Sequence, residues 1–256
     1  MAAQGGRLEG RSAIVTGGAM GIGRAIADGL ANEGAAVAIV DVSGAESAAE
    51  ALVEQGHRAV GITADVTNED DTRRMVAETI EAFGALDVLV NNAGIYASLN
   101  PGPFEDIDVD TWRKVFDVNV LGMFLCCKAA VRALRERGGG RIINLASGTP
   151  FKGVPYLLHY TSSKGAVVAL TRALAKELGG DGILVNAIAP GFTLSDGVKA
   201  NPVQVEKLQE ISRNARTLQR DQYPEDLVGA AVFFASAEAS FITGQSLLVD
   251  GGAYFN

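Results

Sequence analysis

Tyr160 and Lys164 stand four residues apart, and Ser147 precedes the tyrosine by 13 positions (160 − 147). On a helix, residues four apart share a face, so the spacing sets an ammonium beside a phenol. A free phenol titrates near pH ~10. A neighbouring positive charge favours phenolate. Such a pair is a proton shuttle for oxidising an alcohol or reducing a ketone, and a serine hydroxyl nearby could hold the reacting oxygen. A Tyr-x-x-x-Lys pair in isolation is more often structural. Its meaning here depends on the rest of the chain.

The elements that must position it begin at residue 12. Ser12-Ala13-Ile14-Val15-Thr16 reads as a buried strand. Gly17-Gly18-Ala19-Met20-Gly21-Ile22-Gly23 follows, then a helical pattern from Arg24 to Ala31. Strand, glycine turn and helix in that order form a dinucleotide-binding unit. The glycines admit a tight turn and close approach to a pyrophosphate, and the helix N-terminus attracts its charge. The next apolar run, Ala35 to Val40, ends in Asp41. An acidic residue about 20 positions past the turn suits a ribose 2′-hydroxyl and would repel a 2′-phosphate. No Arg or Lys stands at Met20, Val42 or Ser43 to receive one. The expected cofactor is therefore NAD. The competing reading of Asp41 is a cap on the next helix.

With these residues in view, the chain resembles the short-chain dehydrogenase/reductase family over roughly residues 7 to 252. Thr16-Gly17-x-x-x-Gly21-Ile22-Gly23 matches its glycine motif, Asp65-Val66 its adenine contact, and Asn92-Ala93-Gly94 the segment after its fourth strand. Asn119, Ser147, Tyr160 and Lys164 match its catalytic residues, and Pro190-Gly191 its nicotinamide-side loop. The resemblance implies a Rossmann-type, doubly wound α/β domain with a seven-stranded parallel sheet in the order 3-2-1-4-5-6-7. It implies that Tyr160 is the acid/base and that Lys164 also binds the nicotinamide ribose. It implies that Ser147 binds the substrate oxygen and that Asn119 holds a water. Five residues after the proline the family usually has threonine; here that position is Ser195, with Thr193 two residues earlier, so a hydroxyl from either is expected to touch the cofactor.

Composition narrows the class further. Hydrophobic residues make up 48% of the 256, and the net charge is −8. That balance argues against nucleic acid or an anionic membrane as a partner. No apolar run reaches the roughly 20 residues of a membrane span. The segment Met1 to Arg7 lacks a signal-peptide core, so a cytoplasmic protein is expected. Cys126 and Cys127 are adjacent in a predicted helix and read as buried apolar residues. His57 and His159 are too few and too far apart for a metal site, and no metal is expected. His159 either packs or lines the cleft.

Apolar runs alternate with helical patterns over 69–83, 110–136, 160–178 and 224–236, which argues for one domain with helices on both faces of a parallel sheet. The polar stretch 192–223 is expected to be a substrate lid, with a helix or two between Val203 and Asn214. Candidate cleft residues are Ile95, Tyr96, Thr149, Pro150, Phe151, Gly153, Tyr156, Leu157, Phe192 and Leu194. No cluster of Arg or Lys is evident to grip a carboxylate or phosphate, with Lys152 and Lys199 as the possible exceptions. So apolar a set suits an aryl or cyclic secondary alcohol or its ketone. Two other readings remain at this point: a carrier-protein-dependent 3-oxoacyl reductase, and a non-catalytic nucleotide sensor on the same fold. Surplus apolar residues at Val115, Val118, Leu121, Phe124 and Leu125, and at Ala166, Val167, Val168, Leu170, Ala173 and Leu174, suggest helix pairing between subunits. With the apolar stretch 247–255 as a second patch, they predict a homotetramer, with the dimer as fallback.

Overall fold

The computed structural model describes residues 6–255. Most of the segment read above for a leader, Met1 to Gly5, lies outside the described residues.

Seven apolar runs form one sheet: β1 (Ser12–Thr16), β2 (Ala36–Asp41), β3 (Ala59–Thr63), β4 (Val88–Asn91), β5 (Gly140–Leu145), β6 (Ile183–Pro190) and β7 (Ser246–Val249). All pairings are parallel, in the order β3-β2-β1-β4-β5-β6-β7, as expected. In chain order the helices are α1 (Gly21–Asn32), α2 (Ala45–Glu54), α3 (Glu69–Phe83), α4 (Val109–Phe116) and α5 (Met123–Glu136). After these come α6 (Thr149–Lys152), α7 (Leu158–Leu178), α8 (Asp196–Lys199), α9 (Pro202–Asn214) and α10 (Val228–Ala235).

Parallel strands buried on both faces need apolar residues at every position rather than at alternate ones. β1 and β4 are buried throughout. Their alternating residues feed two separate cores. Ala13, Val15, Val37, Ile39, Val88 and Val90 face a layer made by α1, α2 and α10. Ile14, Ala38, Val40 and Leu89 face a layer made by α3, α5 and α7. The two faces take different residues, so the strand register cannot slip by one residue without exchanging the two sets.

The helix predicted over 110–136 is interrupted. Between α4 and α5 the chain makes a π-helical turn, Asp117–Gly122. Gly122 packs so tightly on Val66 that a Cβ there would lie 2.7 Å from Val66 Cγ2. The wider turn brings Asn119 to full burial, and such turns often mark functional sites. The helix predicted over 224–236 is a 3₁₀ turn, Pro224–Leu227, running into α10. The segment 192–223 carries α8 and α9 above the carboxyl ends of the strands. No helix among the described residues is long and apolar enough to cross a membrane. Cys126 and Cys127 are buried, free thiols, as read from the sequence.

Of the residues read as surplus on the two helices, Val115, Leu125, Val167 and Val168 are buried within the chain. Leu121 and Phe124 remain 43% and 46% exposed.

Gly61 of β3 lies directly under the first turn of α2. A Cβ there would sit 2.4 Å from Glu46 Cα and 2.5 Å from the Ala45 carbonyl. Neither is a flexible side chain, so the helix must lift. Gly61→Ala should cost about 1–3 kcal/mol, read as a lower urea midpoint with an unchanged slope. An unchanged midpoint would show that α2 is not seated on β3.

Candidate functional site

The site opens where the strand order reverses, between β1 and β4, at their carboxyl ends. Thr16 closes β1 there. Its hydroxyl accepts from the main-chain N–H groups of Asn92 and Ala93, 3.1 Å each. The Asn92 amide donates back to the carbonyls of Thr16 and Gly17, at 3.0 and 2.8 Å. Gly17 and Gly21 both have left-handed backbones, φ 61° and 58°. A side chain on Gly17 would strike Ala93, and one on Gly21 would fill the gap to Ser195. Gly23 sits in the first turn of α1, where a Cβ would be 2.1 Å from the Gly17 carbonyl oxygen. It shapes the turn without lining the cleft.

Asp41 ends β2 beside that turn. Its carboxylate accepts from Ala19 N at 3.1 Å and Val42 N at 2.8 Å. It does not cap α2, whose N-cap is Gly44 with no side-chain bond. Met20 and Val42 stand exposed at the cleft mouth, while Asp65 and Val66 form its far wall. The Asp65 carboxylate accepts from Thr67 N and Oγ1.

At the other end α7 delivers Tyr160 and Lys164. Lys164 is 4% exposed, and its Nζ donates to the Leu145 carbonyl at 2.6 Å. That nitrogen lies 5.8 Å from the Tyr160 ring centre. The Tyr160 ring tilts against Tyr96 with centres 4.7 Å apart. The Ser147 hydroxyl accepts from Thr149 N and lines the cleft beside the Tyr160 phenol. Asn119 faces them from the π-helical turn. Its Oδ1 accepts from Ile95 N at 2.7 Å, and its Nδ2 donates to the Ile95 carbonyl and to Ser163 Oγ.

Electrostatics differ from the sequence expectation. Burial pushes the Tyr160 phenol up to about 12, and the Ser147 hydroxyl only partly opposes it. Burial likewise lowers Lys164 to about 8. In the protein alone, withdrawal of both groups from water therefore outweighs the attraction that was expected to lower the phenol. Burial also raises the neighbouring Tyr96 phenol.

One cleft of about 780 Å³ joins these ends. Among the sequence candidates it is lined by Gly17, Met20, Gly21, Ile22, Asp41, Val42, Asp65, Val66, Asn92, Ala93 and Gly94. At the reacting end it is lined by Tyr96, Ser147, Thr149, Leu157, Tyr160, Lys164, Pro190, Gly191, Phe192, Thr193 and Ser195. Asn119 lies just behind, where a Cβ on Gly94 would approach its Oδ1 to 3.1 Å.

Five of the candidate cleft residues lie off its wall. Phe151 turns away from the cleft and packs into the core, its ring 6.3 Å from that of Tyr254. Thr149 and Lys152, three apart on the same short helix, take the cleft side instead. Tyr156 has φ 68°, the one positive value outside glycine among the described residues, and its side chain is 62% exposed. Pro150, Gly153 and Leu194 also lie off the cleft wall. His159 is buried but does not line it.

The sequence reading missed Lys114, Arg216 and the α9 residues Leu208, Ile211 and Ser212, all on the cleft wall. The α9 set recurs at helical spacing, 208-211-212, which was the available signal. Lys152 and Arg216 are both committed. Lys152 Nζ pairs with the buried Asp250 carboxylate at 3.0 Å. Arg216 bonds the carbonyls of Phe192 and Arg220. Lys199 turns outward, pairing with Asp196 on its own helix. The lid is fastened to the opposite wall by Gln204, fully buried, whose Nε2 donates to the carbonyls of Tyr96 and Leu99 at 2.8 and 2.7 Å. Ser195 Oγ caps α8, and Thr193 Oγ1 donates to the Gly191 carbonyl.

Comparison with known proteins gives consistent matches along the chain. A family model described as enoyl-(acyl carrier protein) reductase matches residues 17–254. Cis-4-hydroxycyclohexanecarboxylate dehydrogenase of Sinomonas cyclohexanicum is 41% identical, over 94% of this chain and 96% of its own length. A 3-oxoacyl-(acyl-carrier-protein) reductase of Staphylococcus aureus is 40% identical, over 95% of this chain and 98% of its own. A solved structure assigned as a short-chain alcohol dehydrogenase from Sinorhizobium meliloti superposes with a TM-score of 0.89 at 36% identity. It covers 96% of this chain and 97% of that one.

The buried lysine should be visible in the pH dependence of stability. Lys164 is depressed from 10.5 to about 8. Below about pH 8 folded and unfolded chains both hold the proton, and the cost of burying the charge is present. Between about 8 and 10.5 the unfolded chain binds more protons, so stability rises with pH. Tyr160, raised from 10.0 to about 12, works the other way only above pH 10. Urea unfolding of the ligand-free protein from pH 7 to 9.5 should therefore show a gain that is absent from Lys164→Met, up to ~1.4 kcal/mol per pKa unit. Parallel curves for the two proteins would contradict a buried, charged lysine.

Proposed function

The chain belongs to the short-chain dehydrogenase/reductase family, and from that premise we propose that it is an NAD(H)-dependent enzyme interconverting a cyclic or aryl secondary alcohol and its ketone. The observation that carries this reading is one continuous cleft with an unblocked acidic residue, Asp41, at one end and the Tyr160–Ser147 hydroxyl pair at the other.

The residues fit a dinucleotide. The left-handed glycines leave a cradle that a side chain would fill. Asp41 offers an acceptor to a ribose hydroxyl. Ser195 lies over Gly21, so its hydroxyl is the better placed of the two for a pyrophosphate, Thr193 being engaged with Gly191. Lys164 reaches the ribose nearest the reacting carbon. When bound, the oxidised nicotinamide supplies the hydride acceptor and a positive ring.

In the oxidative direction, Ser147 donates a hydrogen bond to the substrate oxygen and fixes it. Tyr160, as phenolate, takes the hydroxyl proton. Lys164 is held at the Leu145 carbonyl, and its charge favours that phenolate. The Asn119 amide is engaged by Ile95 and Ser163. Tyr96, Leu157, Phe192 and Ile211 give the substrate end an apolar wall. Lys152 and Arg216 are already engaged there, while Lys114 has no ion pair among the described residues; the similar cis-4-hydroxycyclohexanecarboxylate dehydrogenase, matched over nearly its whole length, supports a cyclic substrate. The second reading, a 3-oxoacyl carrier-protein reductase, is supported by the comparably similar staphylococcal enzyme. Asp41 and the net charge of −8 weigh against a phosphorylated cofactor and an acidic carrier.

The reading places the enzyme in the cytoplasm, as one domain with residues 192–223 as its lid. It also makes the enzyme a homotetramer. Leu121 and Phe124 on one face, and Leu247 and Phe255 on another, remain exposed, enough for two different two-fold contacts. Light scattering at micromolar concentration should give roughly four times the 26.6 kDa chain. A mass near that of one chain would refute the assembly.

A spectrophotometric screen with both cofactors across cyclic, aryl and 3-oxoacyl substrates tests the activity. NAD(H) should be favoured by ~10–100-fold, on the order of 1–3 kcal/mol, and Asp41→Ser should narrow the gap. Tyr160→Phe should lower turnover by at least ~10²-fold with NADH affinity nearly unchanged. Equal use of the two cofactors would overturn the assignment of Asp41. Turnover surviving in Tyr160→Phe would overturn that of the tyrosine.

A further inference from the structure

The amino ends of the same strands frame a second cavity, of about 420 Å³. Arg11 precedes β1, Asp87 precedes β4, Arg141 opens β5, and Arg137 sits in the loop before it. The cofactor cleft lies at the carboxyl ends, so the two openings are on opposite edges of one sheet.

Asp87, buried to 1%, is saturated by protein groups. Its Oδ1 accepts from Arg137 Nε at 2.9 Å and Arg11 Nη1 at 3.4 Å, and its Oδ2 accepts from Ser12 N and Oγ. Arg141 is left over. Its Nη1 reaches only the Gly140 carbonyl, and its Nε is buried without any acceptor. Neither Arg141 nor Glu9, on the rim, enters an ion pair among the described residues. Three guanidinium groups against two carboxylates leave one net positive charge, in a chain whose total is −8. Arg11 and Arg141 repel each other across the cavity, which with burial lowers Arg141. A bound anion would relieve that repulsion and offer an acceptor to the terminal guanidinium N–H groups of Arg141, whose one partner is the Gly140 carbonyl.

We propose that this cavity is a separate binding site for a phosphate group, held chiefly by Arg141 and Arg137. Guanidinium forks match oxyanions with paired hydrogen bonds. A tetrahedral phosphate presents acceptors in several directions and so meets donors arriving from three separate chain segments. A carboxylate meets one fork. The cavity has room for more than the phosphate, which admits a phosphate ester as well as the free ion.

The test is thermal unfolding of the whole protein at constant ionic strength, with sodium chloride replaced by inorganic phosphate or by glycerol 3-phosphate. A saturable rise in melting temperature is expected. Arg141→Gln should weaken the apparent affinity by at least ~10-fold, about 1.4 kcal/mol, and Arg137→Gln should weaken it in the same direction, in case the first variant folds poorly. Both should retain the wild-type turnover rate in chloride. Tighter binding of glycerol 3-phosphate identifies an ester as the occupant; equal binding identifies the free ion. No saturable rise overturns the proposal. A rise that survives both substitutions also overturns it, because it places the phosphate at the glycine turn instead.

Discussion

The clasp between Thr16 and Asn92 is the constraint on which the site depends. β1 and β4 are adjacent, but their following segments leave in opposite directions, and that divergence is what makes a cleft at the carboxyl ends. Left alone, it would expose main-chain groups at the tips of two buried strands. The Thr16 hydroxyl and the Asn92 amide satisfy those groups with four hydrogen bonds. In doing so they fix the glycine turn against the segment from Asn92 to Gly94. Gly17 and Gly23 must lack side chains because both press on this clasp. The glycine pattern thus reflects the closeness of two chain segments as much as the closeness of a ligand.

A second clasp fixes the reacting end. Asn91 donates to Asn144, which donates to Thr171 of α7. These buried polar groups tie the long helix to the middle of the sheet. Lys164 extends the line by reaching the last carbonyl of β5. A buried polar network of this kind holds one arrangement strongly, because a shift leaves further polar groups without partners in a low-dielectric interior. The ammonium is the costly member, since burial lowers its pKa and raises that of the phenol beside it. Strain of this electrostatic kind is common where a fold supports chemistry.

Much of this was legible in the sequence, and the reason is that backbone geometry dictated it. β1 and β2 fall within one residue of the apolar runs that predicted them, since parallel strands buried on both sides need uninterrupted apolar sequence. The glycine turn, Asp41, Ser147, Tyr160 and Lys164 lie on one cleft because each sits at a fixed offset from a strand end. Side-chain direction in short connecting segments was not legible. Phe151 and Tyr156 are aromatic, close to the tyrosine in sequence, and turned away from the cleft. A four-residue helix and one left-handed residue decide their direction, and neither leaves a periodic signal. Lys152 and Arg216 were equally hidden, because their partners Asp250 and the Phe192 carbonyl are distant in sequence. The π-helical turn at Asn119 looks like ordinary helix when judged by apolar spacing alone.

The two edges of the sheet handle charge in opposite ways. At the carboxyl edge Lys152 is paired with Asp250, and Arg216 is held by main-chain carbonyls. At the amino edge one carboxylate is shared by two arginines and a third has none. Parallel strands place all their first carbonyls and N–H groups on one side, so charged residues that begin strands necessarily gather there. Asp87 joins the starts of β1 and β4 through Ser12, the same two strands that Thr16 and Asn92 join at their far ends. The pair is therefore pinned at both edges, and the arginines at the amino edge are supported by the strands that carry the glycine turn.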